Sequence, residues 1–101
     1  TDNIPRVLPD DIAAIIDFKT ADFELPPVFR WLQQQANLPE ADMLRTFNCG
    51  IGMIVVVDAS DKNAAMDQLK ETAPGAIEIG RLVERGSLPS PVFVVGFPSA
   101  L

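Results

Sequence analysis

Apolar residues fall into short β-branched runs, separated by stretches whose apolar positions recur every three or four residues. Ile12–Phe18 is the first run, bounded by Asp10-Asp11 and Lys19-Thr20, and it predicts a strand. Leu25-Pro26-Pro27 opens a helix, because a first helical turn has no partner for its N–H groups and so tolerates proline. Val28, Phe29 and Leu32 form its apolar stripe, with Gln33, Gln34 and Gln35 expected in water. Trp31 lies off the stripe, so it is expected to cover a neighbouring element or an interface. Asn37-Leu38-Pro39-Glu40 starts a second helix, in which Met43, Leu44 and Phe47 build one buried face. It is expected to end at Asn48-Cys49-Gly50, with the glycine in a left-handed conformation.

Ile51–Asp58 carries the strongest strand signal. Met53-Ile54-Val55-Val56-Val57 does not alternate, which predicts a strand covered on both faces. Ser60 is expected to cap a helix over Asp61–Thr72, with Ala65, Met66 and Leu69 inward and Ala73-Pro74-Gly75 as its stop. Ala76–Glu84 predicts a strand with a bulge at Gly80, and Pro91–Phe97 a last strand forming a hairpin with it across Arg85–Ser90. Before the first strand, Ile4, Val7 and Leu8 sit at helical spacing and stop at Pro9, as at the end of a helix that begins upstream. The predicted class is α+β: a mostly antiparallel sheet of about four strands with helices packed on one face.

The 101 residues allow a single domain, 1–101, with 86–101 expected as its last strand and a divergent tail. Apolar residues make up 48% and charged residues 22%, a globular rather than a disordered balance. The net charge of −6 argues against nucleic acid as a partner. No apolar run approaches the ~20 residues of a membrane-spanning helix, and no basic segment precedes an apolar one as in a signal peptide. The chain has no histidine, which removes His bases, His triads and His metal ligands together. Its one cysteine permits no internal disulfide and no cysteine-cluster metal site, so no metal site is expected, and it fits a reducing compartment.

Few motifs carry chemistry. Cys49 has no His partner and sits at a helix C-terminus, whose partial negative charge disfavours a thiolate. A small buried hydrophobe is the better reading. Gly50-Ile51-Gly52 is a weak phosphate signal that a helix stop explains equally well. Asp58–Asn63 lacks the glycine and the glutamate of a calcium loop. Asp10-Asp11 is a solvated turn. Arg6 and Arg45 are planar forks suited to phosphate or carboxylate. Each adjoins amide or hydroxyl side chains, Asn3 beside the first, Thr46 and Asn48 beside the second, at element ends where ligand sites are commonly built. Spacing and composition alone stop at an acidic α+β domain. A non-catalytic module that binds a small ligand or self-associates stays open.

Two blocks go further. Asn3-Ile4-Pro5-Arg6-Val7-Leu8-Pro9-Asp10 and Met43-Leu44-Arg45-Thr46-Phe47-Asn48-Cys49-Gly50-Ile51-Gly52-Met53 resemble the phosphoribosylformylglycinamidine cyclo-ligase (aminoimidazole ribonucleotide synthetase) family. Pro27–Gln34 and Ile77–Val83 follow the same pattern, in consistent order from Asp2 to about Arg85. The resemblance implies part of the family's C-terminal domain, in a cytoplasmic, homodimeric enzyme of purine biosynthesis that closes formylglycinamidine ribonucleotide to its imidazole. It implies ATP and Mg²⁺, bound mainly by an N-terminal half outside this chain. It also implies a substrate cleft drawing on Asn3, Arg6, Arg45, Asn48, Cys49 and Gly50, with Cys49 structural rather than nucleophilic.

Overall fold

A computed structural model describes all residues, Thr1–Leu101. After a 3-10 turn at Ile4–Val7 come strand β1 (Ile12–Asp17), helices α1 (Pro27–Ala36) and α2 (Glu40–Thr46), a second 3-10 turn (Ala59–Asp61), helix α3 (Lys62–Thr72), and strands β2 (Gly80–Glu84) and β3 (Val92–Val95). The α+β class holds, but the sheet has three strands rather than four, in the order β2-β1-β3. It is mixed rather than mostly antiparallel. β2 runs antiparallel to β1 with Ala14 opposite Leu82, while β3 runs parallel to it with Ile15 opposite Phe93. The expected β2–β3 hairpin is therefore absent: the chain after Glu84 crosses to the far edge of β1 instead.

β1 is the central strand because its small and branched side chains permit close cover on both sides. Ala13, Ala14 and Ile16 are buried. Bonds continue past the strand ends, Asp17 N–H donating to Ile79 at 2.7 Å and Phe18 N–H to Val95 at 3.0 Å. The core gathers Ile16, Phe18, Leu25, Met43, Cys49 and Phe97. Phe97 meets Phe18 edge-on at 5.8 Å, and Phe23 lies 5.1 Å from Phe18, so aromatic contacts link the end of the chain to its first strand.

Both proline-opened helices form as expected. Pro26 and Pro39 occupy the N-cap positions, and Asn37 ends α1 in the left-handed region. The glutamine stretch does not lie wholly in water. Gln33 is buried, its amide donating to the Leu38 carbonyl and Ser99 Oγ at 3.0 Å each, while its Oε1 accepts the Ala100 N–H at 2.8 Å. An amide can enter a core when its donors and acceptor are all engaged, and here the tail engages them. Trp31 is 59% exposed, so within this chain it is not buried against a neighbouring element.

Three further expectations are corrected. Asp58, rather than Ser60, caps the turn before α3: its Oδ1 accepts the Ser60 N–H at 2.9 Å and the Ser60 hydroxyl at 2.8 Å. Ile4–Val7 is a 3-10 turn, not the end of an α-helix. Ile51–Asp58 forms no strand, and its valines are exposed. The fold is thin as a result. Its radius of gyration is 14.4 Å, against about 13 Å for a compact chain of ~100 residues.

Gly80 marks the tightest approach in the sheet. A Cβ there would run into the Ile15 carbonyl and the Ile16 backbone, neither of which can swing aside. Gly80→Ala is expected to lower unfolding stability by about 1–3 kcal/mol. Gly75→Ala, with open space around it, is expected to change stability by less than about 0.5 kcal/mol; chemical denaturation of both variants checks the contrast.

Candidate functional site

The first residues of the chain dock on the end of α2. A helix leaves its last carbonyls without internal partners. Here the Thr1 hydroxyl donates to the Leu44 carbonyl at 3.2 Å. This contact brings the two sequence blocks together, although more than forty residues separate them. Beside it opens a cleft of about 310 Å³, walled by Thr1, Asp2 and Pro5 on one side, Leu44 and Arg45 on another, and Ser90–Val92 with Val94 on the third.

Of the six residues expected at a site, only Arg45 lines this cleft. It lies in the last turn of α2, where a cation also suits the helix dipole. Its guanidinium is exposed and enters no ion pair; the only pairs are Lys62–Glu78 at 3.4 Å and Lys70–Asp67 at 3.6 Å, both on the surface. Asn3 precedes the 3-10 turn and Arg6 lies within it, both exposed and adjacent in sequence to the cleft residues Asp2 and Pro5.

Asn48, Cys49 and Gly50 shape a turn rather than a binding wall. Asn48 Oδ1 accepts the Gly50 N–H at 2.8 Å, and Cys49 and Gly50 both hold positive φ, 55° and 99°. Pro26 fills the space beside Gly50, so no phosphate cradle opens there. Cys49 is buried, with its sulfur 3.8 Å from the Met43 carbonyl and 3.9 Å from that of Phe47. Burial pushes its thiol pKa up, which keeps it protonated and unreactive. Asp17 and Asp58 shift the other way: each is held below the usual carboxylate value by N–H and hydroxyl donors, from Thr20 and Ser60 respectively.

Among the cleft residues that the sequence did not suggest are Ser90, Pro91, Val92 and Val94. No local signal marks them as a cleft wall. They reach the site only because β3 pairs with β1, an outcome that the expected hairpin excluded.

The fold is an α+β domain with an open cleft that carries an unpaired guanidinium, and no group of three or more His, Cys, Asp or Glu side chains converges as a metal site would require. No helix is long and apolar enough to cross a membrane. Residues 1–90 match the family described as AIR synthase related protein, C-terminal domain, and the chain belongs to that family. It is 43% identical over 95 residues to a phosphoribosylformylglycinamidine cyclo-ligase of Methylobacillus flagellatus, covering 94% of this chain and 27% of the relative. Enzymes of the same name from Neisseria meningitidis serogroup C and Nitrosococcus oceani are 47% and 46% identical, over 84% and 85% of this chain and 24% of each relative. The chain thus spans about a quarter of the length of these relatives.

Burial of Cys49 has a pH consequence with a definite sign. The folded state favours the neutral thiol, so this contribution to stability is complete below the unfolded thiol pKa of about 8.5 and is lost as pH rises toward the higher folded value. Alkylation of the native chain at pH 8 is expected to be slow and to become fast on unfolding. The part of the alkaline stability loss due to Cys49 is expected to vanish in Cys49→Ala, as read by denaturation between pH 8 and 10.

Proposed function

We propose that this chain is the substrate-holding portion of an ATP-dependent cyclo-ligase that closes formylglycinamidine ribonucleotide to aminoimidazole ribonucleotide in purine biosynthesis. The observation that carries the reading is the meeting of the two family-like blocks at one cleft, with the unpaired Arg45 on its wall. A guanidinium offers a planar fork to phosphate oxygens, and a ribonucleotide monophosphate presents them. In this reading Arg45 grips the phosphate end, while Asn3 and Arg6 approach the same ligand from the neighbouring turn. Asn48, Cys49 and Gly50 support the site indirectly, by setting the turn that follows α2.

The chain's role in ring closure is positional. An intramolecular attack gains chiefly from holding the nitrogen and the carbon in a reactive geometry, and a rigid cleft does that. The side chains present do not suit ATP and Mg²⁺: no carboxylate cluster converges and the glycine turn is occupied by Pro26. Nucleotide binding therefore falls to polypeptide outside this chain. The intact protein is read as a cytoplasmic homodimer. A second reading, a ligand-binding module without catalysis, suits the chain by itself, since it holds no nucleophile–base pair.

Arg45→Ala, introduced into a full-length cyclo-ligase carrying this domain, is expected to raise KM for the ribonucleotide about tenfold or more, with a smaller effect on kcat. Unchanged steady-state kinetics would remove Arg45 from the site. The isolated chain is expected to release no phosphate from ATP, and sustained ATP-dependent ring closure by it would refute the division of labour.

A further inference from the structure

Four polar side chains line the cleft beside α2: those of Thr1, Asp2, Arg45 and Ser90. Two of them are engaged within the chain. The Thr1 hydroxyl donates to the Leu44 carbonyl at 3.2 Å. The Ser90 hydroxyl closes a tight turn, donating to the Val92 carbonyl at 3.0 Å and accepting the Val92 N–H at 3.3 Å. The other two stay open. Asp2 and Arg45 are exposed, neither enters an ion pair, and they do not pair with each other although they line one cleft. The rest of the lining is aliphatic, Pro5, Leu44 and Pro91 included. A volume of about 310 Å³ lies at the small end of the range for small-molecule sites. A ligand that engages both free groups carries an anion at one end and a cation at the other.

We propose that Asp2 is the specificity-determining residue of this cleft, its carboxylate holding the amidine of the ribonucleotide while Arg45 holds the phosphate. This assignment rests on the cyclo-ligase reading and adds to it how the amidine is told from the corresponding amide. An amidine is protonated near neutral pH. It presents coplanar N–H donors to both oxygens of a carboxylate, as a guanidinium does. The amide differs by an oxygen in place of the imino nitrogen. It is neutral, and that oxygen is an acceptor. An ionised Asp2 only accepts, so the amide oxygen finds no donor there.

The two charges also fix the direction of binding. With the ligand reversed, the phosphate would meet Asp2 and the amidinium would meet Arg45, setting like charge against like at both ends. Thr1 and Ser90 cannot take over either task, because their hydroxyls are already committed to backbone groups. Asp2 is exposed, so water softens its preference, and discrimination of roughly tenfold rather than thousands-fold is expected.

Turnover of the amidine ribonucleotide by a full-length cyclo-ligase carrying this domain, and its inhibition by the amide isostere, test the proposal. In the wild-type enzyme the KM for the amidine is expected to lie about tenfold below the inhibition constant of the amide. Asp2→Asn is expected to raise that KM about tenfold and to leave the inhibition constant within about twofold, so that the preference disappears. Persisting inhibition by the amide shows that the cleft of this variant is intact. Asp2→Glu keeps the charge and is expected to retain most of the preference. Arg45→Ala is expected to weaken both ligands alike, since both carry the phosphate. A wild-type enzyme without the preference, an Asp2→Asn variant that weakens both ligands equally or neither, or an Asp2→Glu variant that loses the preference completely would overturn the proposal and leave the cyclo-ligase reading standing. No turnover of the ribonucleotide by the wild-type enzyme, or an Arg45→Ala variant with both constants unchanged, would overturn the proposal together with that reading.

Discussion

An inner strand must satisfy its backbone groups along both edges, and β1 can do so only if two distant parts of the chain come to it. β2 supplies one edge in antiparallel pairing and β3 the other in parallel. Leaving a buried donor or acceptor without a partner costs about 1–3 kcal/mol, so neither neighbour is dispensable. The rest of the architecture follows from that demand. β2 must approach closely enough that Gly80 tolerates no side chain, and the chain after Glu84 must cross to the opposite edge.

The last eleven residues are integral to the fold although the family match ends at residue 90. β3 completes the sheet, Phe97 enters the core, and Ser99 and Ala100 engage the buried amide of Gln33. The same segment brings Pro91, Val92 and Val94 to the cleft beside Arg45. One wall of the candidate site therefore lies mostly beyond the residues that the family model matches. Variation in this tail would alter the cleft without touching the blocks that mark the family.

The thin core and the exposed valines belong together. Only 9 of the 101 residues are buried, so most of the apolar content lies at intermediate depth or on the surface. α3 contributes no buried residue, and its Lys62 reaches Glu78 through a surface ion pair of the kind that adds little stability. The well-packed part of the molecule is β1 with α1, α2 and the tail, and the cleft opens at the rim of that part. Arg45, in the last turn of α2, stands at that rim with its head group exposed and outside any ion pair.

Local features were legible in the sequence wherever local physics decided them. Prolines at first turns, the left-handed Gly50, the span of β1 and the inward faces of Met43 and Phe47 all depend on backbone dihedrals or on periodicity within a few residues, although α2 itself ends earlier than expected, at Thr46 with Phe47 extended. The family blocks were legible for the same reason, as short runs of fixed residues, and they led to Arg45. Sequence alone did not reveal which strands pair. Parallel pairing of β3 across the sheet, burial of Gln33 by the tail and exposure of Met53–Val57 depend on partners far away in the chain. A β-branched run states that it suits a strand; only the tertiary structure decides whether an edge is available to receive it, because a strand's hydrogen bonds belong to two segments and are encoded in neither alone.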